Sequence, residues 1–334
     1  MTKDNIDHGH RQQRDRMAII GRIGLDPGYW IYRFKWLLAT KRLFLPSFPM
    51  HLDIEATNIC NLRCRMCAQN TLTDKKGYMD FELYKKIIDE GAGNGLYAIK
   101  LHFRGEPLLH PRITEMIRYA KRKGIIDVMF TTNATLLRED LAEALLESGL
   151  DQIMFSVNGH TKRAVEDIEV GADYGLIMDN IHRFLDKRRR KRLPRPLVRV
   201  QMVRTEGNRG EEREFLKKWR PLADTVATID CFVPANRRLR EEMNYRAERS
   251  DIICSRLWQR IPVFWNGEAG LCCIDSDNEV KLGDARVQSI KDIWGGARLK
   301  EIRRLHLEGR MDEVPLCRRC GFRENHAAAQ KELS

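Results

Sequence analysis

Three cysteines placed close together constrain this chain more than any other feature of its sequence. Cys60, Cys64 and Cys67 lie in the segment NICNLRCRMC at 58–67, directly after the strand-like run HLDIEAT at 51–57. Three thiolates on one short loop can bind three irons of a [4Fe–4S] cube, which leaves the fourth iron without a protein ligand. In catalytic metal sites, an open coordination position is where a small molecule binds. A zinc knuckle is the alternative, although zinc sites favour paired CxxC motifs and a fourth ligand.

Length and composition exclude several classes of protein. The 334 residues suffice for a barrel-sized domain and a smaller one. Nine cysteines without a secretory signal indicate a reducing compartment, in which clustered cysteines usually hold metal, so we expect a cytoplasmic protein. Runs of about 18 uncharged apolar residues are absent, and no membrane-spanning helix is predicted. The net charge of +12 favours an anionic or polar partner without choosing among nucleotide sugars, RNA and anionic lipid.

The middle of the chain has the pattern of a parallel α/β sheet. From residue 51 to about residue 235, strand-like runs alternate with amphipathic helical runs, which is typical of strands joined by crossover helices. Catalytic residues of parallel barrels gather at the C-terminal ends of the strands. We therefore expect the functional side chains at the ends of six predicted strands, which are 51–56, 98–104, 126–132, 151–157, 198–204 and 225–231.

Two cationic segments allow more than one interpretation. Residues 28–46 combine aromatic and cationic side chains, and we favour a helix packed on the barrel over an amphipathic helix at a membrane surface or on a partner. The run KRRRKR at 187–192 suits a helix C-terminus and a solvated loop better than a nucleic-acid grip. Nucleic acid is therefore the weaker candidate for the anionic partner.

Motifs at the predicted strand ends resemble those of the radical S-adenosylmethionine (SAM) superfamily. Beside the CxxxCxxC motif, RGEP resembles the family's GGEP, TTNA its TNG and FSVNG its S-[IVL]-D-G, and these segments are 104–107, 131–134 and 155–159. The resemblance implies a partial (β/α)6 TIM-like barrel in which the three cysteines hold a [4Fe–4S] cluster and SAM binds its open iron. Such enzymes cleave SAM to a 5′-deoxyadenosyl radical. A reducing partner such as a flavodoxin or ferredoxin is also implied.

The resemblance assigns SAM binding to residues near the strand ends. The expected SAM contacts are Met66, Gly105, Glu106, Asn133, Ser156, Asn158, Arg199 and Gln201. Arg104 replaces the first glycine of the family's GGEP, and Asn158 replaces an aspartate, whose role as a general base an amide cannot take. Glu169 stands where the family has an arginine for the SAM carboxylate. Arg199 and Gln201 alternate on the fifth strand and are expected to face inward in its place.

A second cysteine set begins at Cys254. The spacing of Cys254, Gly267 and Cys272 matches the form C-x9–15-G-x4-C, which resembles the auxiliary-cluster domains called SPASM and their shortened form, twitch. A full SPASM domain has further cysteines, whereas this chain adds a single CxxC, at Cys317 and Cys320. The resemblance, which includes the aminocyclitol dehydrogenase of butirosin biosynthesis, implies one four-thiolate [4Fe–4S] cluster. Its ligands are expected to be Cys254, Cys272, Cys317 and Cys320, with a structural zinc as the alternative.

Two clusters favour a net two-electron oxidation. After loss of a hydrogen atom beside an alcohol or amine, the substrate must lose one electron to become a carbonyl or imine, and a cluster fully ligated by cysteine can accept it. Cys231, which closes the sixth predicted strand, favours epimerisation instead, because a free thiol can return a hydrogen atom from the opposite face. Asp230 and Asp275 are candidate proton acceptors, and Cys273 is the other spare thiol.

The sequence thus predicts three segments and an enzyme. The segments are a basic, aromatic extension at 1–50, the radical SAM barrel at 51–235 and an α+β auxiliary-cluster domain at 236–334. We expect the enzyme to act on a C–H bond of a polar or anionic small molecule, a sugar or an aminocyclitol, by oxidation or by epimerisation. Maturation of a ribosomal peptide, modification of RNA and electron transfer without SAM turnover are the alternatives.

Overall fold

One nine-stranded sheet organises the protein. The computed structural model describes residues 27–41, 44–231 and 253–320. Within these ranges the strand order is β6-β5-β4-β3-β2-β1-β7-β8-β9. The strands are β1 His51–Ile54, β2 Ala98–Lys100, β3 Asp127–Thr132, β4 Gln152–Ser156, β5 Leu197–Arg204, β6 Thr225–Asp230, β7 Arg260–Val263, β8 Glu268–Gly270 and β9 Lys281–Asp284. The first six pair in parallel, each with the next, so the predicted barrel strands are confirmed.

Helices alternate with the barrel strands. They are α1 Pro27–Thr40, α2 Phe81–Gly93, α3 Ile113–Arg122, α4 Glu139–Leu146, α5 Lys162–Ile168, α6 Tyr174–Arg190, α7 Glu212–Trp219, α8 Ile290–Trp294, α9 Ala297–Leu307 and α10 Pro315–Arg318. Side-chain caps explain several of their starts. Asp80 accepts hydrogen bonds from the second and third amides of α2, and Asp173 and Thr161 each accept one from the third amide of α6 and α5. These caps satisfy amides that have no partner within the first helical turn.

The two faces of the parallel sheet differ in exposure. On β4 and β5 every second residue is buried, as Phe155 and Val200 are, while the residues between them are only half-buried. Because successive side chains of a strand point to opposite faces, one face is packed and the other lines an accessible space. Phe155 contacts Phe184 of α6 with ring centroids 5.6 Å apart, so the packed face is the helix side. We call the half-buried face the lumen face.

Helix α1 packs on the N-terminal ends of the strands. Tyr32 stacks on Tyr97, which precedes β2, with ring centroids 5.3 Å apart. Lys35 Nζ donates a hydrogen bond to the Tyr97 hydroxyl at 2.8 Å, and Gln259 Nε2 donates one to Thr40 Oγ1 at 2.7 Å. The predicted packing of this segment on the barrel is confirmed. Among the described helices, none has the length and apolarity needed to cross a membrane.

The basic run at the end of α6 is paired with carboxylates. Lys187 lies 3.0 Å from Glu139, and the exposed Lys191 lies 3.1 Å from Glu147. Arg188, nearly buried, forms an ion pair of 2.7 Å with Asp224. The interpretation of this run as the cationic end of a helix is therefore confirmed.

The C-terminal segment continues the sheet of the barrel. Strand β7 pairs in parallel with β1, with Asp53 opposite Pro262, and β8 and β9 follow in antiparallel pairing. Trp294 of α8 is buried and donates its indole N–H to the Pro46 carbonyl at 2.7 Å. The auxiliary segment is thus joined to the barrel through backbone pairing. The predicted boundary between residues 235 and 236 lies outside the described residues, as does much of the predicted 1–50 extension.

Candidate functional site

The first cysteine set lies at the C-terminal end of β1. Burial raises the pKa of Cys60 to about 11, and burial, the nearby Glu169 and the other two thiols raise the pKa of Cys64. Backbone amides point at two of the sulfurs, since the amide of Leu62 lies 3.5 Å from Cys60 Sγ and that of Gln69 lies 3.4 Å from Cys67 Sγ. Such donors stabilise thiolates, so the loop fits a metal-bound state.

The two possible metal groups, a cubane and a zinc ion, need different spacings of the cysteine sulfurs. Among the described residues, no three His, Cys, Asp or Glu side chains converge as the ligands of one metal ion do. In a cubane each cysteine binds a different iron, so its sulfurs stand farther apart than the sulfurs around zinc. The distances between the cysteine sulfurs are therefore what would distinguish a cubane from a zinc ion.

The RGEP turn at the end of β2 packs against the cysteine loop. A Cβ atom at Gly105 would lie 2.3 Å from the Thr57 carbonyl oxygen and 2.6 Å from that of Ile59, so only glycine fits. The Glu106 amide donates to the Ile59 carbonyl at 2.8 Å. Arg104, the departure from GGEP, forms a buried ion pair with Glu55 at 2.6 Å. This turn therefore positions the chain that leads into Cys60.

Glu106 connects the ends of β2 and β3. Its buried carboxylate accepts hydrogen bonds from Thr132 Oγ1 at 2.7 Å and from the Asn133 amide at 2.9 Å. Burial raises its pKa to about 7, although these hydrogen bonds lower it. Asn133 Nδ2 in turn donates to Asn61 Oδ1 at 3.1 Å, and Asn61 Nδ2 donates to Thr135 Oγ1 at 2.8 Å. Sequence reasoning missed Asn61 and Thr135, although Asn61 stands inside the cysteine motif.

Asn158 and Glu169, the two residues after β4 that differ from the family pattern, contact each other. The amide and Nδ2 of Asn158 both donate to Glu169 Oε1 at 2.8 Å, and both residues are buried. Asn158 Oδ1 accepts from the Val203 amide at 2.8 Å. Burial raises the pKa of Glu169 to about 7. An aspartate at 158 would place a second carboxylate against Glu169, so the asparagine and the glutamate belong together.

The remaining predicted SAM contacts occupy different depths of the lumen. Ser156 ends β4 and is opposite Gln201 of β5, whereas Arg199 is opposite Met154, one layer closer to the N-terminal end. Met66 is half-buried on the cysteine loop. The structure therefore places Gln201 beside Ser156 at the strand ends, and Arg199 deeper.

The second cysteine set lies near the N-terminal end of β7, whereas the first set follows the C-terminal end of its parallel partner β1. Burial raises the pKa of Cys272 well above its usual value, and neighbouring Cys273, Cys254 and Cys317 raise it further. Cys254 interacts in the same way with Cys320. All four predicted ligands are thus brought together. His306, which sequence reasoning missed, lies with Nε2 3.4 Å from Cys317 Sγ.

The spare thiols and candidate proton acceptors have separate surroundings. Cys231 is half-buried, and burial, Asp230 and Cys67 raise its pKa, so it lies toward the first cysteine set. Asp230 itself is more than half exposed and pairs with Arg204 at 2.8 Å. Asp275 is buried and accepts hydrogen bonds from the amides of residues 279 and 280 at 2.8 and 3.0 Å. Asp230 therefore lies near Cys231, whereas Asp275 is held by the amides that follow it.

Comparison with known proteins agrees with this geometry. Residues 54–198 match the profile described as Radical SAM superfamily, and residues 254–321 match SPASM, described as an iron–sulfur cluster-binding domain. A tungsten-containing aldehyde ferredoxin oxidoreductase cofactor-modifying protein of Pyrococcus furiosus is 32% identical over 160 residues, which are 47% of this chain and 44% of that protein. This chain therefore spans less than half the length of that curated relative.

Two solved structures share the fold. BtrN in complex with AdoMet and 2-DOIA superimposes with a TM-score of 0.54 at 18% identity, over 83% of this chain and 94% of that one. SuiB of Streptococcus suis bound to S-adenosylmethionine superimposes with a TM-score of 0.63 at 16% identity, over 81% of this chain and 71% of that one. The two domains bring SAM and iron–sulfur clusters as cofactors. The chain belongs to the radical SAM superfamily and carries a SPASM domain at its C-terminal side.

Proposed function

We propose that this enzyme oxidises an alcohol or amine carbon of a polar metabolite, a sugar or an aminocyclitol, by two electrons. One observation carries the proposal: the lumen lies between the two cysteine sets. Cys60, Cys64 and Cys67 follow the C-terminal end of β1, whereas Cys254 precedes β7, the parallel partner of β1. A substrate in the lumen would therefore have a cluster site at each end.

The proposed oxidation requires both cluster sites. When bound, the first cluster with SAM supplies the 5′-deoxyadenosyl radical that takes a hydrogen atom, and the second cluster supplies an acceptor for one electron. The remaining proton leaves through the accessible lumen, and a carbonyl or imine results. A flavodoxin or ferredoxin is the proposed source of the electron that starts the cycle.

The residues at the strand ends would bind and orient SAM. We assign its amino group to the turn at Gly105 and Glu106, next to the cysteine loop, and its polar atoms to Asn133, Ser156 and Gln201. The buried pair of Asn158 with Glu169 supports this assignment, since it holds β4 and β5 at the depth of Ser156.

The test is product analysis with the anaerobically reconstituted enzyme. Polar metabolites are incubated with SAM and a reductant, and 5′-deoxyadenosine and product are quantified by mass spectrometry. Oxidation predicts a product two hydrogens lighter than the substrate, formed in equal amount with 5′-deoxyadenosine. A product of unchanged mass would overturn the proposal.

A second candidate, epimerisation, is favoured by the place of Cys231. This thiol directly follows β6, toward the first cysteine set, where it could return a hydrogen atom to a substrate radical. If the enzyme epimerises, Cys231→Ala should still form 5′-deoxyadenosine yet yield no product, and native product formed in D2O should carry one deuterium at the inverted carbon. If it oxidises, Cys231→Ala should retain nearly full product formation. Cys231→Ser is the matched variant, because a hydroxyl keeps the size but donates hydrogen atoms poorly.

A further inference from the structure

Cations face the lumen from strands far apart in the sequence. Lys100 ends β2 opposite Asp53 of β1, and Arg260 begins β7 on the other side of β1. Arg199 faces the same space from β5. Burial lowers the pKa of Lys100, and Arg260 and Arg199 lower it further, while Asp53 raises it. Lys100 therefore interacts with Asp53, Arg260 and Arg199, and we call these four residues the lumen cation cluster.

One oxygen of the carboxylate in this cluster is engaged, whereas Asp53 Oδ2 is buried without a hydrogen-bond partner among the described residues. Asp53 Oδ1 lies 3.4 Å from Arg260 Nη1 and 3.3 Å from His51 Nε2. In contrast, Lys100 forms no hydrogen bond or ion pair within the described part of the chain. Lys100 and Arg260 thus both face Asp53 in a partly buried space, where a charge without a full partner is costly.

Two further donors at this depth lack an acceptor. Arg260 Nε and His102 Nδ1 are buried without a hydrogen-bond partner among the described residues. His102 follows Lys100 by two residues and faces the same side, and burial lowers its pKa to about 3, so its ring is neutral. Buried polar groups are nearly always satisfied in native proteins, which points to a ligand here.

The space beside these donors is accessible. Lys100 and Arg199 are half-buried, as are the other lumen-face residues of β4 and β5. Lys100 therefore retains some exposed surface.

We infer that the lumen binds an oxyanionic group of the substrate, a carboxylate or a phosphate, through Lys100 and Arg260, with His102 as a neutral donor. This inference rests on the proposed function, and it narrows the substrate to an anionic metabolite. The anion would bind toward the second cysteine set, which leaves the rest of the molecule directed at the first.

The experiment measures anion binding without turnover. The reconstituted holoenzyme is titrated by calorimetry with sodium phosphate and, separately, with sodium succinate, at an ionic strength held constant with sodium chloride. At least one anion should bind to wild type, and Lys100→Met should weaken that binding tenfold or more. Preference for phosphate or succinate then distinguishes the two headgroups.

Matched variants exclude a general charge effect. Arg189→Gln removes a cation that is mostly exposed and distant in the fold, and it should bind the anion like wild type. Lys100→Arg should retain most of the anion binding. It also keeps the inference testable if Lys100→Met does not fold. Binding by neither anion, or equal binding by wild type and Lys100→Met, would overturn the inference. Because no turnover is measured, 5′-deoxyadenosine formation tests the proposed function separately.

Discussion

At the residue scale, Asn158 and Glu169 form a buried pair that replaces an aspartate and an arginine of the family. The pair explains why both positions differ at once: the asparagine side chain donates to the carboxylate, which an aspartate could not do. Position 169 therefore offers no arginine to the SAM carboxylate. The nearby Gln201 or the deeper Arg199 remains the proposed partner of that carboxylate.

This pairing predicts an energetic coupling. Asn158→Asp should destabilise the protein by about 1–3 kcal/mol, because it places two carboxylates together in a buried site. In a Glu169→Gln background the same substitution should cost much less. Urea unfolding of the four proteins of this double-mutant cycle measures the coupling. Equal costs in the two backgrounds would show that the pair does not interact.

The adjacent thiols Cys272 and Cys273 are predicted to differ. Cys272 has the spacing to Gly267 that the family uses, and it lies among Cys254 and Cys317. Cys273 instead accepts from Arg256 and lies 3.7 Å from Arg260 Nη2, on the side of the lumen cation cluster. Cys272→Ala should therefore lose about four irons per chain, whereas Cys273→Ala should retain them. Iron analysis after reconstitution measures the loss for each variant. Loss of iron in Cys273→Ala but not in Cys272→Ala would make Cys273 the cluster ligand.

At the scale of single elements, α1 is a helix with one packed and one exposed face. Tyr32 is 2% exposed and stacks on Tyr97, whereas Phe34 is 61% exposed. The packed face closes the N-terminal ends of β1, β2 and β7. The helix therefore belongs to the barrel, although its outer face remains apolar.

The two faces of α1 predict different responses to mutation. Tyr32→Ala should lower the free energy of unfolding by about 3 kcal/mol, because it removes a buried aromatic ring and leaves a cavity. Phe34→Ala should change it by less than about 0.5 kcal/mol, since an exposed side chain loses little contact. Chemical denaturation compares the two variants with wild type. A large effect of Phe34→Ala would mean that this face is covered in solution.

At the scale of the whole molecule, the first cysteine set follows the C-terminal end of β1 and the second lies near the N-terminal end of its parallel partner β7. Two separate sets predict two clusters. The anaerobically reconstituted enzyme should contain about eight irons per chain, on cubane stoichiometry. Replacing Cys60, Cys64 and Cys67 with alanine should halve the iron and abolish SAM cleavage, because the open iron is lost. Metal analysis by mass spectrometry checks both values. Four irons and one zinc in the wild-type enzyme would contradict the assignment of the second set.

Local patterns were enough for much of the fold and for the metal ligands. The six barrel strands follow from alternating runs of apolar residues, and Cys60, Cys64 and Cys67 are recognisable because they are close in sequence. The site residues that sequence reasoning missed act across the fold. Asn61, for example, contacts Thr135, and His306 contacts Cys317, and no local pattern relates the members of such pairs.

The sequence by itself determined the family, the cysteine sets and the order of strands and helices, because each depends on residues that are neighbours along the chain. The tertiary structure alone decided that β7 pairs with β1, and hence that the two cysteine sets stand at opposite ends of one lumen. It also decided that Lys100, Arg199 and Arg260 share a space with Asp53. The physical reason is that a side chain's surroundings depend on which strands pair and at what register, and residues distant in sequence determine both.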